Sequence, residues 1–85
     1  MSSLHKIVAC QISYVPLRTE NIEEKVEKIL YILRNSGLEF KIGSFATEIK
    51  GTKESVFSTI KDIFEVAETE GQFVLELKLS NICGC

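Results

Sequence analysis

The fold of this chain is decided by two stretches of sequence, CQISYVPL at residues 10–17 and GSFATEIKG at residues 43–51. Both contain β-branched and aromatic residues, which favour strands, and each ends near a strand-interrupting residue, Pro16 or Gly51. We predict a first strand over residues 6–16 and a third strand that follows a turn at residues 43–44. Three polar side chains stand among the apolar residues of these strands: Gln11, Ser13 and Thr47.

The segment between these two strands has a helical and then an extended pattern. Apolar residues recur three or four positions apart over residues 22–33, which predicts a helix of about 14 to 16 residues that ends at Gly37. Asn21 with Glu24 fits a capping box at its start, and Thr19 is an alternative cap. Residues 38–42 alternate between apolar and charged, which predicts a second strand.

A second helix and a fourth strand complete the pattern. Thr52 is the predicted cap of this helix and Gly71 is its predicted end. The apolar face of the helix is expected to consist of Val56, Phe57, Ile60, Ile63, Phe64 and Ala67. The last strand covers residues 73–80, and its three alternating leucines are expected to face the helices.

The element order βαββαβ predicts an α+β fold of the ferredoxin-like type. Right-handed crossovers place both helices on one face of a four-stranded antiparallel sheet, with the first and third strands in its centre. We expect a single domain over residues 1–85 with an ordered core at about 6–80. The opposite face of the sheet has no helix to cover it, so we expect a ligand or a second subunit there.

The size and charge of the chain limit its partners. A chain of 85 residues buries only roughly 60–65% of its unfolded surface, so we expect a homodimer or homotetramer that completes the burial. Ten basic and twelve acidic residues give a net charge of −2, with lysines scattered among glutamates, which argues against a nucleic-acid partner. No secretory signal or membrane-spanning run is recognisable, so we expect a cytoplasmic protein.

Five residues of the central strands are candidates for binding a small polar ligand. Gln11 and Ser13 share one face of the first strand and form either a donor–acceptor pair for a heterocycle or a solvated polar pair. Phe45 either stacks on a ligand ring or fills the core. Thr47 either binds the ligand or is an ordinary solvated strand residue. Glu48 points away from Thr47, as either a solvated charge or a partner for a cationic ligand.

Catalytic and metal-binding patterns are weak in this sequence. His5, the only histidine, precedes the first strand, so a metal site of several histidines cannot form within one chain, and we expect no Ser–His triad at this position. Cys10 is expected to be a small buried hydrophobe. Cys83 and Cys85 form either a reactive tail, a redox disulfide or a site for a thiophilic metal. We therefore predict no catalytic residues, no cofactor and no resident metal.

Three ordered motifs resemble the thiamine-binding YkoF-like family: CQISYVPL at 10–17, SGLEFKIG at 36–43 and TEIKG at 47–51. The resemblance extends from about Ala9 to Leu79. It implies a ferredoxin-like unit that binds thiamine or its hydroxymethylpyrimidine moiety without turnover. It also implies a role in vitamin B1 uptake or salvage, in some members beside a vitamin transporter, and a single unit that dimerises.

The resemblance also implies which residues line the pocket. The family's hairpin is closer to Gly-Pro-Met, a small residue and Thr, whereas this chain has GSFAT at residues 43–47. By resemblance to the family, we expect the pocket to be lined by Gln11, Ser13, Phe45 and Thr47, with Glu48 as a weaker candidate. Two alternatives remain: a regulatory or protein-interaction domain of the same fold, and a metal-handling role of the cysteine tail.

Overall fold

The computed structural model, which describes residues 7–82, contains four strands and two helices. In chain order they are β1 (Ile7–Pro16), α1 (Ile22–Arg34), β2 (Glu39–Ile42), β3 (Thr47–Thr52), α2 (Lys53–Glu70) and β4 (Phe73–Ser80). The sheet has the order β2-β3-β1-β4, and every neighbouring pair is antiparallel. This arrangement confirms the predicted ferredoxin-like α+β fold with β1 and β3 in the centre.

The core lies between the helices and one face of the sheet, because alternate residues of a strand point to opposite faces. β1 buries Val8, Cys10 and Ile12, and the Cα partner of Cys10 on β3 is the fully buried Ile49. The helices add further buried residues: Ile29, Leu33, Val56, Ile63 and Ala67. Each large apolar side chain buried in this way contributes about 1.5–3 kcal/mol.

The leucines of β4 lie on the core face, as predicted. Leu75, Leu77 and Leu79 are the Cα partners of Tyr14, Ile12 and Cys10, which all face the helices. Leu77 and Leu79 nevertheless keep 41% and 46% of their surface exposed. They do so because β4 is an edge strand, and no strand of the described residues covers its outer side.

Helix α2 corrects one prediction. Phe57 and Phe64 were expected in its buried face but are 49% and 45% exposed, whereas Thr59 is 6% exposed. The apolar residues of α2 cover a wider arc than the sheet can bury, and spacings of three and four select Val56, Thr59, Ile63 and Ala67. Phe64 packs instead edge-on against Phe73 at the start of β4, with ring centroids 5.0 Å apart.

The helix ends also differ in part from the sequence patterns. The hydroxyl of Thr52 accepts the backbone N–H of Ser55 at 3.2 Å, so the predicted cap of α2 is confirmed. Asn21 stands at the N-cap of α1 without a side-chain hydrogen bond to the helix, so the predicted capping box is wrong. The Thr19 hydroxyl accepts the backbone N–H of Asn21 and not one from the helix. α1 spans 13 residues and ends before Gly37.

The region of the chain that the structure describes contains no helix with the length and apolar content of a membrane span.

The two N-cap positions give a matched test of the fold. Replacing Thr52 with Ala leaves the N–H of Ser55 without its acceptor, which costs about 1 kcal/mol of unfolding free energy. Replacing Asn21 with Ala removes no capping hydrogen bond and is expected to cost less than about 0.5 kcal/mol. Urea unfolding of both variants measures the difference, and equal losses would contradict this assignment of the caps.

Candidate functional site

The hairpin loop between β2 and β3 separates two hollows of the surface. The inner cleft, about 210 Å³ in volume, lies on the helix side between this loop, α1 and the end of β1. The outer groove, about 560 Å³ in volume, lies on the opposite face of the sheet. The loop is closed by the N–H of Gly43, which donates to the carbonyl oxygen of Ala46 at 2.9 Å. Ser13, Phe45 and Ala46 border both hollows.

The inner cleft has mostly apolar walls. Tyr14 and Ile12 of β1 form one side, Val26 and Leu30 of α1 form another, and the loop forms its mouth. Thr47 is the first residue of β3 and adds a hydroxyl group to this cleft. Such a space suits a flat, weakly polar ring with one or two hydrogen-bonding groups.

The outer groove is polar and carries both signs of charge. Gln11 lies between Glu48 and Lys78, its Cα partners on β3 and β4. Lys41 on β2 is in turn the partner of Glu48, so these four side chains form a row across the sheet. The groove proper is lined on its β4 side by Glu76, Leu77 and Lys78. A neighbouring depression of about 310 Å³ shares Gln11 and Phe45 with the groove and reaches Lys41 and Glu48.

The register of β1 and β3 divides the five candidate residues between the two faces. Gln11 and Ser13 share the outer face, and Glu48 joins them as the partner of Gln11. Thr47 is the Cα partner of Ile12 and therefore lies on the helix side. Gln11 and Ser13 therefore lie on the opposite face of the sheet from Thr47, because successive side chains of a strand alternate between the two faces.

Phe45 belongs to neither face, which corrects its placement within a strand. β3 begins two residues later, at Thr47, and the side chain of Phe45 is 94% exposed at the tip of the loop. It does not fill the core, so one of its two interpretations is excluded. A large aromatic ring held in water at the common rim of two hollows is available to stack on a ligand.

Three charged residues of the outer groove and of the neighbouring depression were not identified from the sequence: Lys41, Glu76 and Lys78. The outward positions of β2 and β4 could have been read from their alternation. Their position beside Gln11 and Ser13 depends on the strand register, which a single sequence does not contain.

A contact between the two helices holds α1 against the cleft. The ammonium group of Lys28 donates to the Glu70 carboxylate at 2.8 Å, and Lys25 donates to the backbone carbonyl of Glu70. The hydrogen bond from Lys28 lowers the pKa of Glu70 and raises that of Lys28. Burial, and then the charge of Glu70, raise the pKa of Tyr14, which stays a neutral phenol in the wall of the cleft.

The described residues contain no group of three or more histidine, cysteine or acidic side chains arranged to hold a metal ion. Cys10 is 1% exposed, as predicted, and burial raises the pKa of its thiol, which disfavours the reactive thiolate. His5, Cys83 and Cys85 lie outside the described residues. The side chains around the hairpin are an aromatic ring, hydroxyls, an amide and charged groups, all of which can contact a polar ligand.

These features define a small ferredoxin-like domain with a candidate ligand site at one hairpin. The sequence model of the family described as "Thiamine-binding protein" matches residues 10–80. The chain belongs to this family, which confirms the resemblance seen in the strand motifs. Comparison with curated proteins found no match.

Solved structures of other proteins have the same fold. A proposed thiamine biosynthesis/salvage protein of Thermotoga maritima matches with a TM-score of 0.78 at 22% identity, over 87% of this chain and 82% of that one. A protein of Streptococcus pneumoniae matches with a TM-score of 0.81 at 16% identity, over 87% and 84% of the two chains. A hypothetical protein of Methanocaldococcus jannascii has a TM-score of 0.80 at 16% identity, over 94% and 84%.

The contact between Lys28 and Glu70 has a measurable signature. In Lys28→Met, the pKa of Glu70 rises toward its ordinary range, which a carbon-detected NMR titration measures. Because the Glu70 pKa is lowered in the folded state, its contribution to stability is present above the unfolded pKa and is lost as pH falls through the folded pKa. The stability difference between wild type and variant should therefore disappear in acid, and also in strong alkali as Lys28 deprotonates.

Lys61→Met is the control for this measurement. It removes an exposed ion pair with Glu65 on α2 alone, where the two charges lie 3.4 Å apart. The pKa of Glu70 should not move in this variant. An unchanged Glu70 pKa in Lys28→Met would show that the contact is not formed in solution.

Proposed function

We propose that this protein binds thiamine or its hydroxymethylpyrimidine moiety without chemical turnover, in uptake or salvage of vitamin B1. Membership of the thiamine-binding family supports a small-molecule ligand of this class. The main structural support for this site is the exposure of Phe45, whose ring lies at the rim between the apolar inner cleft and the charged outer groove. We further propose that the protein acts in the cytoplasm as a homo-oligomer, beside a vitamin transporter.

The inner cleft is the proposed place of the pyrimidine ring. Thiamine consists of an aminopyrimidine joined through a methylene group to a thiazolium ring that carries a permanent positive charge. The pyrimidine is flat and has both donors and acceptors. The Thr47 hydroxyl can donate and accept, and the walls formed by Ile12, Val26 and Leu30 exclude water from the ring faces.

The outer groove is the proposed place of the cationic ring. Glu48 and Glu76 are the acidic side chains nearest to Gln11 and Ser13 on that face, since they are Cα partners of these two residues. A carboxylate within a few ångströms of a cation contributes most where water is partly displaced. Phe45 adds a π face, which also attracts cations. The two rings of one thiamine would then lie on either side of the loop at residues 43–46.

Calorimetry with thiamine and with hydroxymethylpyrimidine tests the proposal directly. Heat of binding is expected with both ligands. Phe45→Ala should weaken binding of both by about 2- to 12-fold, the value of an aromatic contact. Thr47→Val should weaken both by about 2- to 12-fold, the value of one hydrogen bond.

Tyr31→Ala is the matched control for Phe45→Ala. Tyr31 is an aromatic residue of α1 that is 66% exposed and does not border the inner cleft or the outer groove. Its removal should leave both affinities unchanged. Absence of heat with either ligand at millimolar concentration would refute the proposal and favour the regulatory or protein-interaction alternative.

A second experiment uses the positive charge of thiamine to distinguish the role of the outer groove from that of the inner cleft. Glu48→Gln and Glu76→Gln keep the size of the side chains but remove the attraction for the thiazolium ring. Both should weaken thiamine binding by about 2- to 5-fold at low salt, as expected for a partly exposed charge pair, and leave hydroxymethylpyrimidine binding unchanged. An equal loss for the two ligands would place the pyrimidine, not the thiazolium, in the outer groove.

A further inference from the structure

The charged side chains of β2 and β3 on the outer face are arranged as pairs of opposite sign. Lys41 is the Cα partner of Glu48. Two residues along the same strands, Glu39 is the partner of Lys50. Opposite charges on directly paired residues attract each other, so each charge of these two strands is partly offset by its neighbour.

The charges of β4 instead face neutral residues. Glu76 is the Cα partner of Ser13, and Lys78 is the partner of Gln11. Within the described part of the chain, the ion pairs join helix residues, and neither charge of β4 takes part in one. Both residues line the outer groove, so β4 offers this groove a carboxylate and an ammonium group.

A cationic ring alone makes no use of Lys78. In the proposed function, Glu48 and Glu76 attract the thiazolium ring, whereas the positive charge of Lys78 opposes it. The groove also has a volume of about 560 Å³, which lies in the range of pockets that hold drug-sized molecules, and one five-membered ring fills only part of it. Both observations indicate a ligand that carries a further, anionic group.

We propose that the outer groove selects a phosphate monoester of thiamine over thiamine itself, with the ammonium group of Lys78 as the phosphate contact. The inference rests on the proposed function, because the ring system must be held around Phe45. A phosphate monoester carries a charge of about −1.5 to −2 at pH 7, and lysine serves as a point-charge partner for it. Thiamine has one hydroxyl group that can be esterified, at the end of a two-carbon arm on its thiazolium ring.

The spacing of the two charges on β4 fits this dipolar ligand. Residues i and i+2 of a strand share a face and lie about 6.4–6.8 Å apart, so Glu76 and Lys78 are neighbours on the outer face. The arm of thiamine separates the ring cation from the ester phosphate by a comparable length. The thiazolium ring would lie against Glu76 and the phosphate against Lys78, where the amide of Gln11 can donate to a phosphate oxygen.

Lys41 is less suited to the phosphate, although it lies in the same row across the sheet as Lys78. Its direct partner is Glu48, whose carboxylate repels a phosphate and offsets the charge of the lysine. Lys41 borders the neighbouring depression and not the outer groove itself. The two lysines therefore provide a matched pair for a test.

Calorimetry with thiamine and with thiamine monophosphate, at low salt, tests the proposal in the full chain. The wild type should bind the ester about 2- to 5-fold more tightly than thiamine, as expected for a partly exposed charge pair. High salt should reduce this preference. In Lys78→Met the preference should be lost, because the ester loses its contact and thiamine loses an unfavourable neighbour. Lys78→Arg keeps the charge and should keep the preference.

Lys41→Met is the control, with an equal loss of charge in the same row of the sheet. The ratio of its two affinities should stay within about twofold of the wild-type ratio. A purely structural effect of Lys78→Met would weaken both ligands equally, whereas loss of a phosphate contact lowers the affinity of the ester alone.

Heat of binding with thiamine, together with equal or weaker binding of the ester, would overturn this inference and leave the proposed function intact. So would a preference that survives Lys78→Met, an equal weakening of both ligands in that variant, or a loss of preference as large in Lys41→Met. Absence of heat with both ligands would refute the proposed function and this inference with it.

Discussion

The pairing of Cys10 on β1 with Ile49 on β3 is the constraint on which the rest of this structure depends. Both side chains are buried, at 1% and 0% exposure, in the layer between sheet and helices. Because strand side chains alternate, this one pair fixes the face of every other residue on the two central strands. Shifting either strand by one residue would send Gln11 or Glu48 into the core without a partner, which costs several kcal/mol for the charged group.

The same register places the candidate ligand-binding residues on two opposite faces of the sheet. Thr47 is paired with Ile12 and reaches the cleft beside α1, while Gln11 and Glu48 are paired on the open face. A ligand that contacts both sets must pass around the loop at residues 43–46, where the two faces meet. Phe45 stands at this point, and its exposure follows from the closure of the loop: the hydrogen bond from Gly43 to Ala46 leaves no strand neighbour to cover its ring.

Much of the fold could be predicted because local patterns agreed with one another. The alternating leucines of β4 identified the core face, and the Thr52 cap and the glycine at residue 71 bounded α2. The site was less predictable. Phe45, Thr47 and Ile49 have the alternation of one strand face, but the hairpin interrupts it after Phe45, and periodicity does not reveal where pairing begins. The burial of Thr59 in place of Phe57 likewise depends on which side of α2 meets the sheet, and the apolar residues of this helix cover too wide an arc to show it.

The family resemblance added what the local patterns lacked. Motifs on β1 and β3 indicated the family, which the match over residues 10–80 confirms, although they could not show on which side of the sheet each residue lies. The division between Thr47 and Gln11 is a property of register, and register is set by pairs of residues that are distant in sequence. A motif written along one strand does not contain that information.

The outer face of the sheet and the inner cleft differ in the kind of ligand group that each can hold. Glu48 and Glu76 are the Cα partners of Gln11 and Ser13, so the outer face offers carboxylates to a cation. Lys78 is the other partner of Gln11, and its charge offsets part of that attraction. The inner cleft has no such charged wall and favours a neutral ring, because a cation would lose its hydration there without a partner. For a ligand with one neutral and one cationic ring, charge therefore favours the cleft for the first ring and the outer face for the second, with Phe45 at the border of both.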